Sequence, residues 1–459
     1  MFETFLESGL TAFRADRLST SLDNFMRAVI CDLKRSEAYV YLGNYYSSVS
    51  EDSLATVCYR RAQRLSPDLF DGYFNESNLH QRRGRLVEAE YKLLCALALE
   101  PANQHGLTNL SALRHSLGAD AIVVCKGYER SLAIQPVNNY RASVNLGQAM
   151  LSLGRFTEGW QAFRARFSVE TPALNTSLPI YRGGETNSRV LIWGDQGVGD
   201  QIMFLSILPS VLSLEKNVTF RGDQRLKNLV CRSFPNVQFE QDNSVFRDAD
   251  HDVQISLGDL GGIFRKTASD FPISRSYLKV DQSRTELLRA EIKDDPHMVV
   301  VGISWRSINK ETGQTRTIDL SAMLGALHHK NLRLISLQYD GTRSEIDAIR
   351  QYSPPGNGRT ALESDVNRYD DLDGVASLCA GCDLVISIGN TVAHIAAAVG
   401  TETWVLVPHP AGWRWMASGS GTPWYPSAKI FRQGTDMGWQ NVLKTVRDSL
   451  DELLISRQT

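Results

Sequence analysis

Two hydrophobic rhythms divide the chain. Over residues 1–168 the apolar positions fall in helix-length runs, and the runs themselves recur. Pro67, Pro101 and Pro136 stand 34 and 35 residues apart, each just after an apolar run. Gly84, Gly118 and Gly154 stand 34 and 36 apart, and Asn75, Asn109 and Asn145 each precede one of these glycines by nine residues. Ala62 and Ala96 lie five residues before the first two prolines. A small residue lets two helices cross closely, a glycine permits the turn between them, and a proline stops the second. The repeating unit is therefore a helical hairpin with a period of about 34 residues.

From Arg189 onward the rhythm becomes one of short apolar runs separated by helix-length segments. The runs are Val190–Trp193, Val218–Phe220, Val237–Phe239, Val253–Ile255, Val299–Trp305, Leu332–Leu337, Leu384–Ile388 and Thr403–Val407. Such alternation predicts parallel α/β layers. Residues 169–188, with Pro172, Pro179, Gly183 and Gly184, read as a linker. The charged segment Asp281 to Pro296, ending Asp294-Asp295-Pro296, marks a break between an α/β half at 189–290 and a second at 291–459. Ligands of open α/β sheets bind beyond the C-terminal strand ends, so functional loops are expected after Trp193, Trp305, Leu337 and Ile388.

Composition narrows this further. The 459 residues carry 49 Lys+Arg against 51 Asp+Glu, a formal net charge of −2, which excludes the strongly basic profile of a nucleic-acid binder. No apolar run reaches the roughly 20 residues of a membrane span. The first ten residues carry Glu3 and Glu7 and lack the basic and apolar regions of a secretory signal, so a cytoplasmic location is expected. Seven scattered cysteines do not form a disulfide framework. Cys379-Ala-Gly-Cys382 reads as packing, since one pair cannot close a zinc site and it precedes a strand.

Four constellations carry candidate chemistry. Gly194-Asp195-Gln196-Gly197-Val198-Gly199-Asp200 follows the first predicted strand and opens a helix. The three glycines Gly194, Gly197 and Gly199, in a loop with Gln196, let backbone approach a ligand, and Asp200 sits at the helix start, where an acid also serves as an ordinary cap. Ser387 to Gly400 runs from a strand end into an alanine-rich helix whose start, with Asn390, Thr391 and His394, suits an anion; a lone helical histidine is also commonly just packed. Arg306, Lys310 and Arg316 follow another strand and suit a phosphate clamp, or are plain surface charge. The loop Pro408 to Pro426 holds Trp413, Arg414, Trp415, Trp424 and Tyr425. So many tryptophans in one loop are hard to assign to a core, and their faces suit sugar rings.

The repeats resemble the tetratricopeptide (TPR) family, best in Tyr41 to Pro67 and Asn75 to Pro101, with Leu42-Gly43 and Leu146-Gly147 at the expected places. An earlier degenerate copy runs through Gly9 and Ala28, and Ser50, Arg130 and Arg166 depart from the consensus. Stacked repeats form a solenoid whose concave face binds protein, and Asn75, Asn109 and Asn145 form a candidate amide ladder for a peptide backbone, or else satisfy neighbouring helices.

From about Pro179 onward the chain is similar to bacterial TPR glycosyltransferases with a heptosyltransferase-like catalytic region. The motifs are Gln196-Gly-Val-Gly-Asp200, Gly302-Ile-Ser-Trp-Arg306, Asn390 to Gly400, Trp413-Arg-Trp415 and Pro423-Trp-Tyr-Pro426. The resemblance implies an α + α/β chain in which an N-terminal TPR helical solenoid precedes a GT-B fold of two Rossmann-like domains. In it, 189–290 is the acceptor side and 291–459 the nucleotide-sugar side, with the last helix returning to the N-terminal half. It assigns Asp200 as general base, and Arg316, Asn390, Thr391 and His394 to the donor phosphates. Many relatives carry an acid where this chain has Gly389.

The expected function is inverting, metal-independent transfer from a nucleotide-sugar to Ser/Thr of a protein such as flagellin, with no cofactor beyond the co-substrate. A non-catalytic TPR adaptor with a relic GT-B region, and a transferase acting on lipopolysaccharide core or another glycan, are the rivals. Asp371-Leu372-Asp373 matches a metal motif of another transferase fold but precedes a helix, where capping is the simpler role. Asp248, Asp250, His251 and Asp252 lack metal-ligand spacing.

Overall fold

The computed structural model describes residues 1–169, 173–184, 187–271, 273–293, 295–309, 313–352 and 366–457. Pro172 and Asp294 of the expected linker and break lie outside them, as does Lys310. Two compact units divide between Leu146 and Gly147.

Helical hairpins fill the N-terminal region: α1 Phe2–Arg14 with α2 Leu18–Cys31, α3 Ser36–Ser48 with α4 Asp52–Leu65, α5 Phe70–Arg82 with α6 Leu86–Leu99, and α7 Gln104–Ser116 with α8 Ala121–Ile134. A fifth pair, α9 Tyr140–Ser152 and α10 Phe156–Phe163, follows. The turn inside each hairpin needs one residue at positive φ. Gly84, Gly118 and Gly154 supply it at 71°, 80° and 77°, and Asp16 and Ser50 occupy the same place at 54° and 64°. Ser50 thus departs from the glycine in type but keeps the left-handed backbone that the turn requires. Ala28, Ala62 and Ala96 are fully buried at the helix crossings. First helices of successive repeats pack on one another, α1 with α3 and α3 with α5.

The second unit contains two parallel sheets. The first has strand order β3-β2-β1-β4, from β1 Arg189–Trp193, β2 Asn217–Gly222, β3 Val237–Gln241 and β4 Val253–Ser256. The other has order β6-β5-β7-β8-β9, from β5 Val299–Ser304, β6 Leu332–Ser336, β7 Leu384–Ile388, β8 Thr403–Val407 and β9 Ala428–Arg432. All pairings within both sheets are parallel. All eight expected strands are present; β9 was missed because Ala-Lys-Ile-Phe-Arg is short and mixed. Strand order reverses about β1/β4 in one sheet and β5/β7 in the other, so each sheet opens a crevice at the C-terminal ends of those strands.

The last helix, Gln440–Ser456, does not return to the first α/β half. Its apolar stripe, Val442, Val446, Leu450 and Leu454, joins Val301, Ile303, Ile386 and Leu406 in the core of the second sheet. That amphipathic spacing allows burial against either sheet, so its sequence alone did not choose. The second helix of the fifth hairpin, α10, belongs to the α/β unit from Gly147 on, and its Phe156, Trp160 and Phe163 are buried. Asp371 caps the helix Leu372–Gly381 by accepting from Gly374 N at 2.8 Å, and Asp373 is paired with Arg232. All seven cysteines are free thiols. Among the described residues no helix is long and apolar enough to cross a membrane.

Candidate functional site

The glycine loop follows β1 and opens the short helix Val198–Phe204. Its N-cap is Gly197, with no side-chain cap bond, so Asp200 in the first turn is not spent on capping. Its carboxylate instead meets a side chain 214 positions away. Arg414 Nη2 donates to Asp200 Oδ2 at 2.8 Å and Arg414 Nε donates to Oδ1, a two-point pair in which both side chains keep partial exposure. Gln201 braces the loop, donating to Gln196 O at 3.0 Å and accepting from Asp223 N at 3.2 Å. Gly199 lies at a close approach: a Cβ there would lie 3.1 Å from His394 Cδ2 and 3.5 Å from Thr391 Oγ1. The glycine loop of the first sheet is thereby pressed against the helix Thr391–Ala398 of the second.

His394 is buried, with Nδ1 2.7 Å from Tyr425 Oη and its ring stacked on Trp415 at a centroid distance of 4.9 Å. Burial pushes the imidazole down to about 3; the Asp200 charge opposes this, and Arg414 and Arg316 reinforce it. The ring is therefore neutral at ordinary pH, and it does not act as a cation toward phosphate. Tyr425 is itself buried, with its phenol pushed well up by desolvation.

Asn390 caps this helix, accepting from Val392 N at 3.1 Å. Its amide donates to Ser304 Oγ at 2.8 Å, and its oxygen accepts from Ser387 Oγ at 3.0 Å. This ties the ends of β5 and β7 together and leaves the side chain no spare group for a phosphate. Arg306 is likewise committed. Nε donates to Asp340 at 3.1 Å, Nη2 to Asp340 O at 3.0 Å and to Glu345 at 3.2 Å, while Nη1 pairs with Glu345. The clamp expected of Arg306 is thus an internal ion-pair anchor, and Arg306 holds Glu345 down to about 2. Gln338 completes the strand end by accepting from Ser304 Oγ, Trp305 N and Arg306 N at 3.0, 3.1 and 3.1 Å.

Arg316 differs from Arg306. It ends the short helix Gly313–Arg316 and makes no ion pair among the described residues. Burial is the first cause that lowers its pKa; the like charge of Arg414 adds to this and Asp200 opposes it. Two guanidinium cations and one carboxylate thus share a partly buried space beside a neutral imidazole, a surplus of one positive charge.

The tryptophan loop is corrected by its burial. Trp413, Trp415 and Trp424 are 5 %, 4 % and 1 % exposed, so their indoles are core rather than an open platform for sugars. Trp413 and Trp424 pack edge-on to Trp160 at 5.8 and 6.2 Å, and Trp424 lies 4.8 Å from Phe271. Arg432 fastens the loop by donating to Met416 O at 2.8 Å and Gly419 O at 2.7 Å. Only Arg414 of the Trp413-Arg-Trp415 triplet turns toward Asp200. Gly389 follows from the same packing, because a Cβ there would lie 2.6 Å from Trp415 Nε1. Gly389→Asp is expected to destabilise the unit by about 1–3 kcal/mol through overpacking. A urea midpoint unchanged by the substitution would contradict it.

The sequence reading missed Arg166, which it treated only as a departure from the repeat. This side chain is fully buried. Nε donates to Asp195 Oδ2 at 2.7 Å, Nη1 pairs with Asp259 at 2.8 Å and Nη2 donates to Ser256 Oγ at 3.0 Å. The rings of Phe163 and Phe167 lie 4.6 and 4.2 Å from its guanidinium carbon. Asp195 also accepts from Gly258 N at 3.0 Å, so one arginine locks the loops after β1 and β4. The departure from consensus was the available signal.

In the repeats, Asn75, Asn109 and Asn145 are all half-buried on α5, α7 and α9. Asn109 donates to Asn78 Oδ1 at 3.1 Å, and Asn145 bonds the buried Tyr128. At these two positions the amides serve neighbouring helices.

No family model matches the chain. Protein FlbA of Caulobacter vibrioides (strain ATCC 19089 / CIP 103742 / CB 15) is 28% identical over 447 residues, covering 90% of this chain and 67% of that protein. Solved structures similar to part of the chain include pilF of Pseudomonas aeruginosa, at 17% identity, 36% of this chain, 75% of that chain and a TM-score of 0.34. Another is YrrB, titled a TPR protein with an unusual peptide-binding site, at 20% identity, 32% of this chain, 74% of that chain and a TM-score of 0.29.

Proposed function

We propose that the α/β unit is a GT-B glycosyltransferase that takes a sugar from a nucleotide-sugar to a hydroxyl of a protein presented by the helical repeats. The observation that carries this reading is the convergence of Asp200, Arg414 and Arg316 beside the crevice of the first sheet. A carboxylate next to surplus guanidinium charge suits a reaction that removes a proton at one end and releases an anionic diphosphate at the other.

Asp200 takes the proton of the acceptor hydroxyl as its oxygen attacks the anomeric carbon. The bond from that carbon to the nucleotide's phosphate oxygen breaks on the opposite face, so the configuration inverts. Arg316 receives the charge of the departing nucleotide, a nucleoside diphosphate or, from a CMP-sugar, CMP. Thr391, beside Gly199 at the start of its helix, lines the same place. His394, neutral and stacked, shapes the wall instead of pairing with phosphate. The helical repeats hold the polypeptide acceptor, with flagellin the leading candidate through the family resemblance.

Asp200→Asn is expected to lower kcat by about two to four orders of magnitude, the range contributed by a positioned general base. The matching measurement is turnover of a UDP-, GDP-, ADP- or CMP-sugar first identified by a thermal-shift screen. Retained turnover removes Asp200 as the base. Failure of all four donor classes to raise the melting temperature favours the adaptor.

A further inference from the structure

Arg414 grips both oxygens of Asp200, occupying the positions that an acceptor hydroxyl would need to reach. We propose that Arg414 is a positioning gate, exchanging its partner from Asp200 to a bound diphosphate, so that the base is unmasked only when the leaving group is in place. This rests on the reading of the site as a nucleotide-sugar transferase and names how that site is regulated.

Charge and geometry carry the inference. Arg316 makes no ion pair among the described residues, so it is the first landing point for an anion. A diphosphate carries more than one negative charge, and Arg316 alone leaves it under-neutralised in a partly buried space. The further cation that acts on Arg316 is Arg414, whose only carboxylate among the described residues is Asp200. Its planar fork matches a phosphate as well as a carboxylate, so the exchange replaces one two-point pair by another. The backbone around Arg414 need not move. It sits in a loop pinned by Arg432, and its own carbonyl accepts from Thr422 Oγ1 at 2.8 Å. The guanidinium lies over the Trp413 ring at 4.8 Å, a face along which it can swing while keeping its cation–π contact. Asp200 and the anion then compete for one guanidinium, and by linkage each weakens the other's hold on it.

Calorimetric titration of the full chain with inorganic pyrophosphate tests this. Asp200→Asn, nearly isosteric, removes the competitor and is expected to tighten pyrophosphate on the order of tenfold. Arg414→Gln added to that variant is expected to cancel the gain. If wild type binds pyrophosphate and Asp200→Asn binds equally or more weakly, the gate is overturned: Asp200 then orients Arg414 for the anion, or Arg414 never meets it. That result leaves the transferase reading standing. If neither wild type nor Asp200→Asn binds pyrophosphate, the anion site fails, and the gate and the transferase reading fail with it.

Discussion

Arg166→Met is expected to destabilise the α/β unit by about 3–5 kcal/mol, because it leaves the buried Asp195 carboxylate with no countercharge and takes from Asp259 one of its two arginines, Arg164 being the other. Asp195 and Asp259 have side chains only 1% and 10% exposed, and both pair with this guanidinium. Its flat faces also fill the space near Phe163 and Phe167, so packing is lost as well as charge. Urea unfolding followed by tryptophan fluorescence isolates the effect, since all eight tryptophans lie between Trp160 and Trp439 in this unit. Adding Asp195→Asn to Arg166→Met should recover part of the loss by removing one orphaned charge. A loss below about 1 kcal/mol for the single variant would mean that the buried pair is no anchor.

The second large effect is a loss of stability in mild acid that depends on His394. Its folded pKa is depressed to about 3, mainly by burial, against an unfolded value of about 6.5. A depressed value means that the unfolded chain binds the proton more readily. The contribution of His394 is therefore complete above about pH 6.5 and drains away as pH falls from there toward 3. At pH 5 the deficit is about 1.5 pH units, or about 2 kcal/mol. Carboxylates held low by partners, such as Glu345, add their losses mainly below about pH 4.5, outside the interval from pH 7 to 5 in which the comparison is made. His394→Gln should flatten the stability of the α/β unit between pH 7 and 5 while lowering it at pH 7 through lost stacking on Trp415. Equal slopes for wild type and variant would show that the imidazole is hydrated in the fold.

Much of the architecture was written locally. The 34-residue spacing of proline, glycine and alanine marks the hairpins because each residue acts within its own turn, and Ser50 shows that the turn asks for a backbone angle rather than for glycine itself. Strand-length apolar runs identified eight of the nine strands among the described residues for the same reason. The candidate site was legible as loops after β1, β5 and β7, since strand ends in such sheets are where ligand-binding loops gather.

What each side chain does in those loops was not legible, because its partners lie far away in the chain. Asp200 and Arg414 are 214 positions apart, and Arg166 meets Asp195 across 29. Arg306 and Arg316 look alike in sequence, yet Asp340 and Glu345 neutralise one, while the other makes no ion pair among the described residues. The tryptophans read as an exposed platform until Trp160 and Phe271 arrived to bury them. Propensity, periodicity and turn chemistry act over a few residues, so the sequence by itself determined the repeating hairpins, the two parallel sheets and the loops between them. Burial and charge pairing act through space, and only the tertiary structure decided which arginine is neutralised by carboxylates, which histidine is buried and which carboxylate is held by Arg414.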